Sequence, residues 1–103
     1  MAESLGIAVS AALRVILKRE SEILREMIVG WHKIVSTEFA EDAYPARIYS
    51  IREKGDQINI LVINVKNSSI GTMISYKSEM LIEKIAIYFG YKAINRINIK
   101  TKL

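Results

Sequence analysis

Ile58-Asn59-Ile60-Leu61-Val62-Ile63-Asn64-Val65 is the stretch on which the fold turns. Its apolar residues fall at both parities: Ile58, Ile60 and Val62 on one side of a strand, Leu61, Ile63 and Val65 on the other. A half-exposed strand alternates cleanly, so this pattern predicts a central strand with both faces at least partly covered. Leaving such side chains wet forfeits about 1.5–3 kcal/mol each, so the second sheet face is expected to be covered by the N-terminal helix or a partner chain. Upstream, Glu53-Lys54-Gly55-Asp56 supplies turn chemistry and joins a strand over 46–53 to one over 57–66 as a hairpin. Downstream, Asn67-Ser68-Ser69 is a capping cluster that opens a helix over 70–89. The apolar stripe of that helix is Ile70, Met73, Ile74, Met80 or Leu81, Ile85, and Tyr88 or Phe89, and Gly90 ends it. A last strand over 93–100 places Ile97 and Ile99 on one face and Arg96, Asn98 and Lys100 on the other.

The first forty residues carry helical rhythm. Leu5, Val9, Ala12, Leu13, Ile16 and Leu17 follow three–four spacing, which restarts at Ile23 and Leu24 and runs through Met27, Ile28, Trp31, Ile34, Val35 and Phe39. Lys18-Arg19-Glu20 interrupts it and Ser21 can cap a second helix, so two helices with a break at 18–21 are expected. Gly30 costs about 1 kcal/mol inside a helix, and close approach of another element beside Trp31 is the simplest compensation. Tyr44-Pro45 closes the helical region, because the residue before a proline is pushed out of the α region. The order is helix–helix–strand–strand–helix–strand, an α+β single domain over 1–103 with helices on a three-stranded sheet.

Chemistry of the catalytic kind finds little material in this chain of 103 residues. There is no cysteine and one histidine, which removes disulfides, thiolate zinc sites and histidine-based triads. No G-x-x-x-x-G-K-[ST] run occurs, and Gly71-Thr72 reads as part of a helix start. Glu79 and Glu83 lie one turn apart beside Lys77 and Lys84, a solvated helix face, and Glu41-Asp42 reads as a loop. His32 falls off the apolar stripe, whereas Trp31 falls on it and reads as core. No catalytic residue, metal ligand or cofactor is expected. The apolar run Leu5–Leu13 is too short to span a bilayer and follows Glu3 instead of a cation, so a cytoplasmic protein without a membrane role is expected.

The net charge of +4 is unevenly spread. Residues 21–42 are acidic, whereas residues 91–103 hold Lys92, Arg96, Lys100 and Lys102 with no acid. On the first strand Tyr49 sits between Arg47 and Arg52, and the turn adds Lys54. Aromatics interleaved with cations on a sheet can stack bases while the cations hold phosphates. Arg47, Arg52, Lys54, Lys92, Arg96, Lys100 and Lys102 are therefore the candidate nucleic-acid-binding residues, opposed by the plainer reading of a basic surface that serves solubility.

Three blocks occur in an order that resembles the DciA family. They are Trp31-His32-Lys33-Ile34-Val35, Tyr44-Pro45-Ala46-Arg47-Ile48, and the run from Leu81 to Ile97 containing Tyr88-Phe89-Gly90-Tyr91. The resemblance implies a KH-like fold and a non-enzymatic accessory or loader of the bacterial replicative helicase that contacts single-stranded or forked DNA. Ser36 stands where the family commonly has glycine, and no G-x-x-G loop is present for phosphate clamping. The chain ends at Leu103, before the extension with which members often engage the helicase, so the folded domain or first helix is expected to do more of that work. A KH-like RNA-binding factor and a protein–protein adaptor without a nucleic-acid role remain the alternatives, and self-association stays open.

Overall fold

Strand β2 (Asp56–Val65) lies between β1 (Ala43–Glu53) and β3 (Arg96–Thr101), antiparallel to the first and parallel to the second. The structure is a computed structural model that describes residues 18–35 and 37–102; the stripe from Leu5 to Leu17 falls outside the described residues. Residues 18–29 form helix α1, followed by α2 (Trp31–Ile34) and α3 (Thr37–Ala40). Helices α4 (Ser68–Tyr76) and α5 (Ser78–Phe89) connect β2 to β3, as a parallel strand pair requires. The α+β class and the three-stranded sheet agree with the sequence.

Two helical boundaries differ from expectation. Residues 18–21 are helical without a break. The chain bends at Gly30 instead, where the hydrogen-bond ladder persists through Gly30 N–H to Glu26 O and Ile34 N–H to Gly30 O, both 3.0 Å. A Cβ built at Gly30 would overlap the Tyr88 phenol, so the close approach inferred from the sequence is that of α5. The second difference is that 70–89 is not one helix. Lys77 interrupts it at φ −101° and ψ 12°, and its N–H still bonds Ile74 O and Met73 O. Both segments can then press on the sheet: Ile74 from α4, Leu81 and Ile85 from α5. Asn67 caps α4 by accepting the Ile70 N–H at 3.0 Å, and Gly90 ends α5 at φ 84°.

Leu61, Ile63 and Val65 point into a core shared with Met27, Trp31, Ile34, Phe39, Ile74 and Ile85. Ile48, Ile97 and Ile99 join them from the outer strands. Trp31 satisfies its buried indole by donating Nε1–H to Ala43 O at 2.8 Å. On the same face Asn59 fastens the chain before β3: its backbone N–H bonds Asn95 Oδ1 (2.8 Å) and its Nδ2 donates to Ala93 O (3.0 Å). Helix α1 also packs here, with Ile23 and Leu24 against the core.

The opposite face is carried by Ile58, Ile60 and Val62, and no described helix packs on it. The expected covering by the N-terminal helix falls on residues 5–17, outside the described residues. Ile60 and Val62 are nevertheless only 5% and 4% exposed. In the register they lie between Tyr49 and Arg96, and between Arg47 and Asn98.

Candidate nucleic-acid interface

The face that no described helix covers is a grid of three rows. Tyr44, Asn64 and Lys100 form the first, Arg47, Val62 and Asn98 the second, Tyr49, Ile60 and Arg96 the third. A β-bulge assembles it. Pro45 pairs with Ile63 and Arg47 with Val62, so Ala46 is an extra residue that resets the parity of β1. Without that reset Tyr44 and Arg47, three residues apart, would face opposite sides. With it, Pro45 turns into the buried side and Tyr44 joins the open one. β1 is an edge strand, where a proline breaks no ladder with a further strand.

Polar geometry within the grid is local and exposed. The Arg47 guanidinium stands 4.9 Å from the Tyr49 ring centroid, a cation–π contact that orients both groups. Asn64 Nδ2 reaches Tyr44 Oη at 3.5 Å. Arg96 Nη2 donates to Glu53 Oε2 at 3.0 Å, with both side chains about half exposed. A surface pair like this contributes about 0–1 kcal/mol, so a phosphate can displace the carboxylate. The arrangement can hold phosphates with three cations while two tyrosines offer their rings to bases.

Of the seven basic residues singled out from sequence, Arg47, Arg96 and Lys100 thus share one face. Arg52 and Lys54 lie at the hairpin end: Arg52 Nη1 bonds Gly55 O at 3.5 Å, and Lys54 and Gly55 form the turn at φ 52° and 86°. Lys102 follows β3 and is held by its N–H to Val65 O at 2.9 Å. Lys92 stands apart, in a cleft with Glu79, Glu83 and Asn95 on the outer side of α5. Tyr44 and Asn98 belong to the grid although the charge pattern does not single them out. The signal for Tyr44 is Pro45, which marks a bulge as well as a helix end.

Among the described residues no group of three or more His, Cys, Asp or Glu side chains is placed to hold a metal ion. Nor is any described helix long and apolar enough to cross a membrane. Among the described residues, fold and face define a small α+β domain with helices on one side of its sheet and a basic, tyrosine-bearing face on the other.

The model of one family, described as "Dna[CI] antecedent, DciA", matches residues 5–99, and the chain belongs to the DciA family. That family is associated with loading of the replicative helicase and is not known as an enzyme family. The chain is also 31% identical over 87 residues to uncharacterized protein RP826 of Rickettsia prowazekii (strain Madrid E), covering 84% of this chain and 81% of that protein.

Proposed function

We propose that this protein is a non-enzymatic accessory of the replicative helicase, acting in the cytoplasm, that holds single-stranded DNA against its open sheet face. The observation that carries the reading is the convergence of Arg47, Arg96 and Lys100 with Tyr44 and Tyr49 on one surface that no described helix occupies. Membership of a helicase-loading family supplies the process; the grid supplies the contact. Lys102, Arg52 and Lys54 extend the basic surface beyond the grid, and Lys92 contributes charge at a distance. With no G-x-x-G run, a KH-like reading of the domain places nucleotide contact on the sheet instead of a glycine loop.

Binding of this kind follows strand geometry and charge, so it is weak, largely sequence-independent and steeply salt-dependent. The test is reconstitution with the purified replicative helicase from the same source. The protein is expected to bind that helicase and to speed its assembly on single-stranded DNA without hydrolysing ATP by itself. The Arg47→Ala, Lys100→Ala variant is expected to keep helicase binding and lose most of the acceleration. Absence of helicase binding contradicts the accessory role. Equal acceleration by the double variant contradicts the role of the sheet face, and tighter binding to RNA than to DNA of the same sequence moves the reading to an RNA-binding factor.

A further inference from the structure

A second surface lies on the helical side, remote from the open sheet face. From Lys77 along α5, Met80, Lys84 and Ile87 follow at spacings of three, four and three, one stripe of a helical surface. All four are exposed, Met80 by 54% and Ile87 by 78%. The stripe borders two adjoining clefts that share Val35 and Lys84. The walls of the first include Trp31, Val35 and Phe39; Lys33 and Tyr88 line the second. Three lysines, Lys33, Lys77 and Lys84, line this groove. The Lys77 ammonium stands 5.1 Å from the Phe39 ring centroid, so its position is defined. An exposed methionine beside an aromatic wall is the adaptable apolar surface that takes a helix.

We propose that this groove docks an amphipathic helix bearing acidic side chains, supplied by a partner protein. The apolar side of the incoming helix packs on Met80, Ile87 and the Trp31–Val35 wall. Its carboxylates meet Lys77 and Lys84, which are seven residues apart and therefore about 10 Å apart along α5. Acidic groups seven residues apart on the incoming helix match that interval. The charge selects this occupant: an apolar helix without acids leaves three lysines facing apolar surface, and a basic one meets like charge. The inference does not depend on the nucleic-acid reading, and the two surfaces lie on different sides of the sheet.

Trp31 is the sole tryptophan and lines the groove, so its emission reports occupancy. The probe is a tryptophan-free helical peptide of about twenty residues, leucines on one face and glutamates seven apart beside them, compared with a twin carrying glutamines. Full-length protein is titrated with each. The acidic peptide is expected to shift Trp31 emission saturably, and the glutamine twin to bind at least about fivefold more weakly. Lys77→Glu with Lys84→Glu is expected to weaken the acidic peptide about tenfold or more and to gain affinity for a lysine-bearing twin, an exchange that misfolding cannot produce. Equal binding of the acidic and glutamine peptides, or no emission change at all, overturns the proposal. So does an oligothymidylate that produces the same emission change and competes, which would make the groove a polyanion site. Self-association that masks the groove and is abolished by Ile87→Lys would give it to a second copy of this chain, and also overturns it.

Discussion

Trp31 and Gly30 show how much of this fold rests on single atoms. The indole N–H of Trp31 is spent on Ala43 O, which ties α2 to the start of β1 at 2.8 Å. Trp31→Phe keeps a ring in the core but leaves that carbonyl unpaired, and is expected to cost about 1–3 kcal/mol in urea unfolding. Trp31→Ala also opens a cavity and is expected to cost about 3–5 kcal/mol. Gly30 makes a sharper case, because helix propensity and packing oppose each other there. Alanine improves propensity by about 1 kcal/mol, yet its Cβ falls on the Tyr88 phenol. Gly30→Ala is expected to destabilise the parent by about 1 kcal/mol or more and to stabilise a Tyr88→Ala background, a change of sign that a double-mutant cycle measures directly. Stabilisation in both backgrounds would show that the phenol moves aside without cost. The need for a neighbour at Gly30 is legible in the sequence, because a glycine inside a strong apolar rhythm calls for one. Which neighbour is not, since Tyr88 is far away along the chain.

At the scale of elements, local signals read well and non-local ones do not. Asn67 as a cap, Gly90 as a helix end and Lys54-Gly55 as a turn each depend on a few adjacent residues. The doubly apolar run from Ile58 to Val65 marks the central strand for the same reason. The interruption at Lys77 leaves no trace, because it carries neither proline nor glycine and the stripe keeps phase from Ile74 to Leu81 across it. The bulge at Ala46 is hidden in a different way: Pro45 reads as the end of a helix, while in the fold it also marks the place where β1 changes parity. In the joint before β3, the Asn59 side chain acts beside the bonds that Asn95 makes to the Asn59 backbone. Asn59 Oδ1 accepts from Ser50 Oγ (2.8 Å) and Gln57 Nε2 (3.1 Å), and its Nδ2 secures Ala93 O (3.0 Å). Asn59→Ala leaves the Ala93 carbonyl without that donor, and is expected to cost about 1–3 kcal/mol. Hydrogen exchange is expected to accelerate first at the amides of 93–96; uniform loss of protection across β2 would contradict this local role.

For the whole molecule, the sheet divides the labour. Among the described residues, helices fill one face; the other carries Ile58, Ile60 and Val62 among cations, tyrosines and amides. The charge pattern places Arg96 and Lys100 together correctly, because strand alternation alone does so. It cannot show that Glu53, forty-three residues from Arg96, closes an ion pair over the same surface. If the face holds phosphates as proposed, that pair competes with them for Arg96. Glu53→Gln removes a carboxylate from the grid and frees Arg96, so single-strand affinity is expected to rise several-fold at low salt, with little change in stability because the pair is exposed. Unchanged or weaker binding would mean that Glu53 positions Arg96 for its ligand and does not compete with it.

The central claim, that the open face holds phosphates, is tested most directly by the salt dependence of single-strand binding. Fluorescence anisotropy of a labelled oligothymidylate, titrated with the protein across a salt series, gives log K against log salt. Three to four phosphate contacts predict a slope of about −2 to −3. The Arg96→Ala, Lys100→Ala variant removes two of them and is expected to flatten the slope by about 1–1.5 without loss of folding, since both side chains lie outside the core. An affinity indifferent to salt, or a double variant that binds with the parent's slope, would contradict the account and leave the open face as a solvated surface.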